Sequence, residues 1–332
     1  MKILSLTHRP NGVTFYRGQN VFQELCRQTG WTFDAVDPKN FDLDRLPSYD
    51  IYFDLRPTKQ ENINMIYLAW KAGLKIWIDL DDLLWQIPAA NSASVNWSPE
   101  ADENLKKALA NADIVTTTTD ALAEAISRET QAPVAVVPNA WNDRLFEMPK
   151  AWNGETKKEF TTFFWRGSNT HDGDLYAHRI AFQPSEKTLF RFMGALPWYF
   201  LKAYGGPLDT LHWDSFNTNI YSYHDQIRRI APDCFVFPLE NNEFNRCKSN
   251  IAWIEATIAG SAIIAPSYMP EFSKTPALTY SDPETLAFML NADLRRKMHD
   301  SYLDSRIYLY EELRLSYINT IRETIAKQIT CK

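Results

Sequence analysis

Two stretches of this sequence bring chemically capable side chains together. IDLDDLLW (78–85) holds Asp79, Asp81 and Asp82. Carboxylates this close repel, so at least one pKa should rise or a cation should lie among them. PLENNEFNRCKSNIAWIEATIAGSAIIAP (238–266) places Lys248 and Ser249 ahead of an apolar run that carries one carboxylate, Glu255, and ends at Gly260. A cation, a hydroxyl and free backbone amides at the mouth of a helix form a site for an anion such as phosphate. The plainer alternative leaves Lys248 as a solvated surface cation and Glu255 on the exposed side of its helix.

The elements that must position these groups alternate in type. Strands are expected at 2–7, 49–55, 74–80, 113–119 and 134–139, with helices near 17–28, 61–73, 99–112 and 120–130 between them, the last capped by Asp120. Strands separated by helices of this length predict a parallel, doubly wound sheet. PKAWNGETKK (149–158) is polar, has no period and reads as a linker. The pattern then restarts, with a strand and loop over 160–168, a strand or short helix within 186–197, a short strand at 209–214, a helix at 222–232 and strands at 234–239 and 261–266. From 283 to the end the chain reads as helical.

Composition bounds the function. The chain has 332 residues, enough for two domains, and is 45% hydrophobic and 23% charged. Net charge is −6, and the first 150 residues carry 15 Lys/Arg against 20 Asp/Glu, so neither half is a basic nucleic-acid module. Four cysteines, Cys26, Cys234, Cys247 and Cys331, show no CxxC or metal spacing, which fits a reducing compartment. No signal peptide and no apolar run of membrane-spanning length is read, so a cytoplasmic protein is expected, in the host cytoplasm if phage-encoded. The oligomeric state is not legible.

Several motifs in chain order carry a resemblance. ANADIVTTTTDALAEAI (110–126), AVVPNAWNDRLF (135–146), FFWRGSNTHDGDL (163–175) and the 238–266 stretch resemble, in that order, segments of the family-4-like retaining GT-B glycosyltransferases, in the subset common in phage and polysaccharide gene sets. The resemblance covers most of the chain. It implies an α/β GT-B fold: a Rossmann-like acceptor domain (1–148), the linker (149–158), a Rossmann-like nucleotide-sugar domain (159–305), and a C-terminal helix (306–332) packing back on the first domain.

The resemblance also implies roles. The donor is a nucleotide-sugar, with UDP as the default nucleotide. Asn245, Lys248, Ser249, Asn250 and Ile251 would surround its diphosphate, and Glu255 would accept hydrogen bonds from the ribose diol. Arg166 falls where the family places a phosphate-binding base, and a guanidinium's fork of donors suits phosphate oxygens. Gly12 would let backbone approach the phosphates and Arg17 would add charge, although an ordinary strand-to-helix turn explains that loop as well. Asp81, Asp82 and His171 would position the acceptor. Leaving-group stabilisation by Arg166, Lys248 and the 249–251 amides needs no metal and no cofactor. Closure about 140–158 would exclude water.

One departure is plain. Family members often carry a second glutamate eight residues before the first, and Cys247 stands there. That leaves Asn241, Asn242, Glu243 or Asn245 to hold the sugar; Cys247 as a nucleophile is a poor alternative, with no His near it in sequence. The Asp79–Asp82 cluster also admits a metal-binding DxD, a Mg-dependent phosphatase nucleophile, or a capped and solvated loop. The acceptor is open between a saccharide and a hydroxylated phage DNA base, with Arg56, Lys59, Lys71 and Lys75 as basic candidates for the latter. A non-catalytic nucleotide-sugar-binding protein is the remaining rival.

Overall fold

The computed structural model describes the chain except residues 8–10, 156–157, 184, 196, 207–210, 218, 318–324 and 326–332. Its first half forms six parallel strands: β1 (Lys2–Leu6), β2 (Thr32–Val36), β3 (Ile51–Leu55), β4 (Lys75–Leu80), β5 (Ile114–Thr117) and β6 (Val134–Val136), in spatial order β2-β1-β3-β4-β5-β6. The second half forms another six: β7 (Thr161–Gly167), β8 (Thr188–Gly194), β9 (Leu211–Asp214), β10 (Cys234–Val236), β11 (Ala262–Pro266) and β12 (Leu278–Tyr280), ordered β12-β11-β10-β7-β8-β9. Every pairing between them is parallel.

Each sheet changes winding direction once, between β1 and β3 in the first and between β7 and β10 in the second. In doubly wound sheets the ligand crevice opens outside the carboxyl ends of strands at such a point. Central strands are apolar on both faces because helices cover both, and β4, β5 and β11 accordingly run buried through Ile76–Leu80, Ile114–Thr117 and Ala262–Pro266.

Helix ends follow local chemistry. Ser98 caps the Pro99–Ala110 helix, with Pro99 supplying a pre-set backbone at its first position. Asp120 was the expected cap of the next helix. Thr119 holds that place instead, its hydroxyl accepting from the Leu122 amide, and Asp120 becomes the first helical residue, where its charge suits the helix dipole. From 283 the described chain is largely helical, as expected, but not as one continuous helix: the Pro283–Asn291 helix stops before Ala292, a second helix runs Arg295–Glu312, and a short 3-10 turn covers Leu315–Tyr317. Most of the expected 306–332 helix lies outside the described residues. Leu315 and Ile325 are nonetheless buried in a core cluster with Ile3, Val21 and Phe22 of the first domain.

The domains also interpenetrate. Phe244 and Cys247 join the hydrophobic core of the first domain, and Phe15, Tyr16, Trp141 and Phe146 join that of the second. Beside the domain-crossing segment, the Trp141 amide donates to the Leu313 carbonyl at 2.9 Å and the Leu315 amide donates to the Trp141 carbonyl at 2.8 Å. No helix among the described residues is long and apolar enough to cross a membrane.

Candidate active site

The two winding-reversal points face each other across a cleft of about 400 Å³. The segment after β1 contributes Gly12, Val13, Tyr16 and Arg17, and Arg56 follows β3. Asp81, Asp82 and Leu84 follow β4. From the second domain come Arg166, Ser168 and His171 at and beyond the end of β7, Phe237 beyond β10, and Lys248, Ser249, Ile251 and Glu255 at the front of the Ile251–Ala259 helix.

That helix has no side-chain cap at Asn250. The Ser249, Asn250, Ile251 and Ala252 amides find no acceptor among the described residues, while the Asn250 carbonyl receives the Trp253 and Ile254 amides at 2.9 and 3.2 Å. Four free donors and the positive end of the helix dipole therefore sit where Ser249 and Ile251 border the cleft. Gly260, in the left-handed region at φ 86, stops the helix. Asn153 from the linker closes the same end by donating to the Ala259 carbonyl at 3.0 Å.

Glu255 is 4% exposed and is not on an outer helix face. Its Oε2 accepts from Arg166 Nε at 2.7 Å and from the Tyr223 hydroxyl at 2.9 Å, and the Arg166 guanidinium closes to 2.6 Å. Tyr16 adjoins this group and shares a hydrogen bond of 3.1 Å with His224. Burial, reinforced by Arg228 and Arg166, pushes His224 down to about 3, so it is neutral at physiological pH. Burial likewise pushes both tyrosine hydroxyls well up, with the Glu255 charge adding to it.

The aspartate cluster divides in two. Asp79, within β4, points into the first domain. Arg17 grips it from Nε at 2.9 Å and from a terminal nitrogen at 2.7 Å, the Thr116 hydroxyl donates at 2.6 Å, and both ion-pair partners are 1% exposed. The other terminal nitrogen of Arg17 reaches the Val137 carbonyl at 2.6 Å and Asn139 at 3.2 Å. Arg17, expected to add charge beside the phosphates, thus borders the cleft with its guanidinium turned inward.

Asp81 and Asp82 face outward. Arg56, held in the left-handed region at φ 54, bonds both Asp81 oxygens and reaches Asp82 Oδ2 at 2.7 Å. The other Asp82 oxygen receives Lys248 Nζ from the opposite domain at 3.2 Å. Burial raises the Asp82 carboxyl, but Lys248 and Arg56 outweigh it and hold it below the ordinary carboxylate range. Of the two outcomes expected for close-set carboxylates both occur: burial raises the Asp79 carboxyl although Arg17 opposes it, and protein cations lie against Asp81 and Asp82. No group of three or more His, Cys, Asp or Glu with metal-holding geometry occurs among the described residues.

His171 borders the cleft with Nδ1 2.9 Å from Asp174. Asp174 also accepts from the Glu240 amide at 2.8 Å and from Asn245 Nδ2 at 2.9 Å, so it fixes the ring and the 240–245 segment together. Asn245 is buried in that role and does not border the cleft, nor does buried Asn250. Asn242 caps the Glu243–Arg246 helix and Asn241 accepts from Arg246 at 3.0 Å. Cys247 is buried beside Phe244, and burial, with Glu243 and Asp82 adding, raises its thiol to about 11, which disfavours the thiolate a nucleophile needs.

Tyr16, Asn139 and Tyr223 are site residues that the sequence pattern alone did not place there. Arg56, a basic candidate for the acceptor side, does border the cleft, directly after the buried strand β3. The tyrosines lie in helical segments without a local signature.

No protein-family model matches the sequence, and no curated protein matches it. Solved structures do. Anabaena HepE in complex with UDP-glucose is similar over 98% of this chain and 100% of its own, at 13% identity and TM-score 0.70. The sucrose-phosphate synthase of Thermosynechococcus elongatus is similar over 100% and 99%, also at 13% and 0.70. The lipopolysaccharide outer core galactosyltransferase WaaB, in its apo form, is similar over 98% and 100%, at 13% and 0.60. At such identities the likeness is one of fold, and with the two six-stranded parallel sheets it establishes the GT-B architecture, two Rossmann-like domains facing one cleft.

Proposed function

We propose that the chain is a glycosyltransferase that moves a sugar from a nucleotide-sugar, UDP-sugar first among them, to an acceptor hydroxyl. One observation carries the reading: an uncapped helix N-terminus opens into the interdomain cleft where Arg166, Lys248 and Glu255 converge. Its amides, the guanidinium and the ammonium match the oxygens of a diphosphate, and the second domain supplies all of them. HepE, bound to UDP-glucose, supports the choice of nucleotide.

In this reading the leaving diphosphate is stabilised by Arg166, Lys248 and the 249–252 amides, so no metal is required. Glu255 orients Arg166 through Oε2 and meets the ribose. The leaving phosphate takes the acceptor's proton on the same face of the sugar, which gives retention without a dedicated base. Asp82 and His171 position the acceptor. A saccharide acceptor is favoured over a hydroxylated DNA base, because Arg56 and Lys75, two of the basic candidates, are engaged by Asp81, Asp82 and Asp113 rather than offered to phosphates. The same pairing of Asp81 and Asp82 with cations disfavours a phosphatase that needs a free carboxylate nucleophile.

The test is thermal shift and nucleotide release with UDP-, GDP-, ADP- and TDP-sugars, with and without EDTA, on the wild type and Glu255→Ala. One nucleotide family should stabilise the wild type, the variant should lose that gain, and slow donor hydrolysis should persist in EDTA. Binding without any turnover would leave a nucleotide-sugar-binding protein. Phosphate release that requires Mg²⁺ would return attention to the aspartates.

A further inference from the structure

Among the described residues, the arginines and the lysine that border the cleft are already paired. Arg17 is held by Asp79, Arg56 by Asp81 and Asp82, Arg166 by Glu255 and Lys248 by Asp82. A diphosphate entering this cleft competes with carboxylates for its cations. The pairs differ in how readily they yield. Arg17 and Asp79 are sealed in the first domain, and Arg166 is held by two nitrogens on one buried oxygen. Lys248 and Asp82 are joined by one contact of 3.2 Å, with side chains 15% and 23% exposed, and this contact spans the two domains.

Resting on the glycosyltransferase reading, we infer that Asp82 and Lys248 form an exchangeable ion pair that makes binding ordered: the donor diphosphate takes Lys248 from Asp82, and only then does Asp82 offer that oxygen to the acceptor hydroxyl. The geometry supplies both halves of the exchange. Lys248 stands directly before Ser249 and the free amides, and its ammonium lies 4.4 Å from the Phe244 ring centre, a second contact that stabilises the cation as it leaves the carboxylate. Asp82 does not collapse when Lys248 departs, because Arg56 still holds its Oδ2 at 2.7 Å. One carboxylate oxygen is thereby fixed and the other vacated. Without donor, an acceptor hydroxyl must displace an ammonium from that oxygen; with donor, it does not. Asp82 is thus a positioning residue whose availability reports donor occupancy.

The exchange is tested by calorimetric titration of UDP into the wild type, Asp82→Asn, Lys248→Met and the double variant. Asp82→Asn removes the competing carboxylate and should bind UDP roughly tenfold more tightly than the wild type, about 1.4 kcal/mol. In the Lys248→Met background the same substitution should change affinity by less than about twofold, because the two side chains then have nothing to exchange. Asp82→Ser repeats the comparison if the asparagine variant does not fold. An affinity that is unchanged or weaker on losing Asp82 overturns the exchange while leaving the donor site intact, as does a gain that survives in the methionine background and reports only a general loss of negative charge. Failure of all four proteins to bind UDP or GDP overturns the donor-site reading itself and the exchange with it.

Discussion

Asp79 and Asp82 leave the same strand end yet sit in opposite electrostatic settings. Asp79 is sealed among Arg17, Thr116 and the first domain's core. Asp82 is part-exposed and shared between a cation of its own domain and one from across the cleft. A buried pair that loses one partner strands a charge away from water, whereas a part-exposed pair trades partners with solvent or ligand at little cost. The difference teaches that neighbouring carboxylates in one motif can serve separate ends. Asp79 fastens the segment after β1 to β4, and Asp82 joins the two sides of the cleft through Arg56 and Lys248.

The largest expected effect tests that division directly. Arg17→Met should lower unfolding free energy by about 3–5 kcal/mol in a urea titration, while Arg56→Met should stay within about 1 kcal/mol of the wild type. Similar losses at the two positions would break the comparison.

A third carboxylate, Asp54 on β3, sharpens it, because it is buried with neutral partners. It accepts from the Tyr52 hydroxyl at 3.1 Å and from Asn62 Nδ2 at 3.2 and 3.1 Å, and burial outweighs these bonds to raise it to about 7. Below about pH 4 the folded and unfolded chains both hold this proton; between about 4 and 7 only the folded chain does. Stability should therefore fall as pH rises through that window and level off above it, by up to about 4 kcal/mol from this group. Asp54→Asn should flatten the slope, measured as urea midpoints from pH 4 to 8. A slope identical in the variant would mean that Asp54 titrates normally and that burial without a cation does not set its behaviour.

The smallest effect falls on Asp81, which touches Arg56 and not Lys248. Asp81→Asn should alter stability by less than about 1 kcal/mol and UDP affinity less than Asp82→Asn does. A stability loss above about 2 kcal/mol would place the cleft-facing pair in the same structural class as the buried one.

The alternation of apolar strands and amphipathic helices was legible because both periods are strong, and it led to two parallel sheets. β2 and β12 were not legible, for a physical reason. Both are edge strands, of 5 and 3 residues, and TFDAV and LTY bury too little to show a clean pattern. In the site, Lys248, Ser249 and Glu255 were visible because helix spacing places them at one helix front, and the structure brings them to the cleft with Arg166, Asp81, Asp82 and His171. Pairing between distant segments was not visible. That Arg17 faces Asp79, that Tyr223 reaches Glu255, and that Asn245 donates to Asp174 are consequences of the tertiary fold. The substitution at Cys247 was legible as a departure, but only the structure shows the thiol packed in the other domain's core.

The paired bonds between Trp141 and residues 313 and 315 have a mechanical consequence. The chain passes between the domains at that segment and returns beside it, so the two passages are fastened edge to edge. Were one domain to move against the other, two adjacent straps would act as one hinge with a single axis, permitting a swing while resisting sliding and twisting. A swing about one axis moves points in proportion to their distance from it. Such a swing would change the Lys248–Asp82 gap without shearing the sheets, and each half of the site would keep its own orientation.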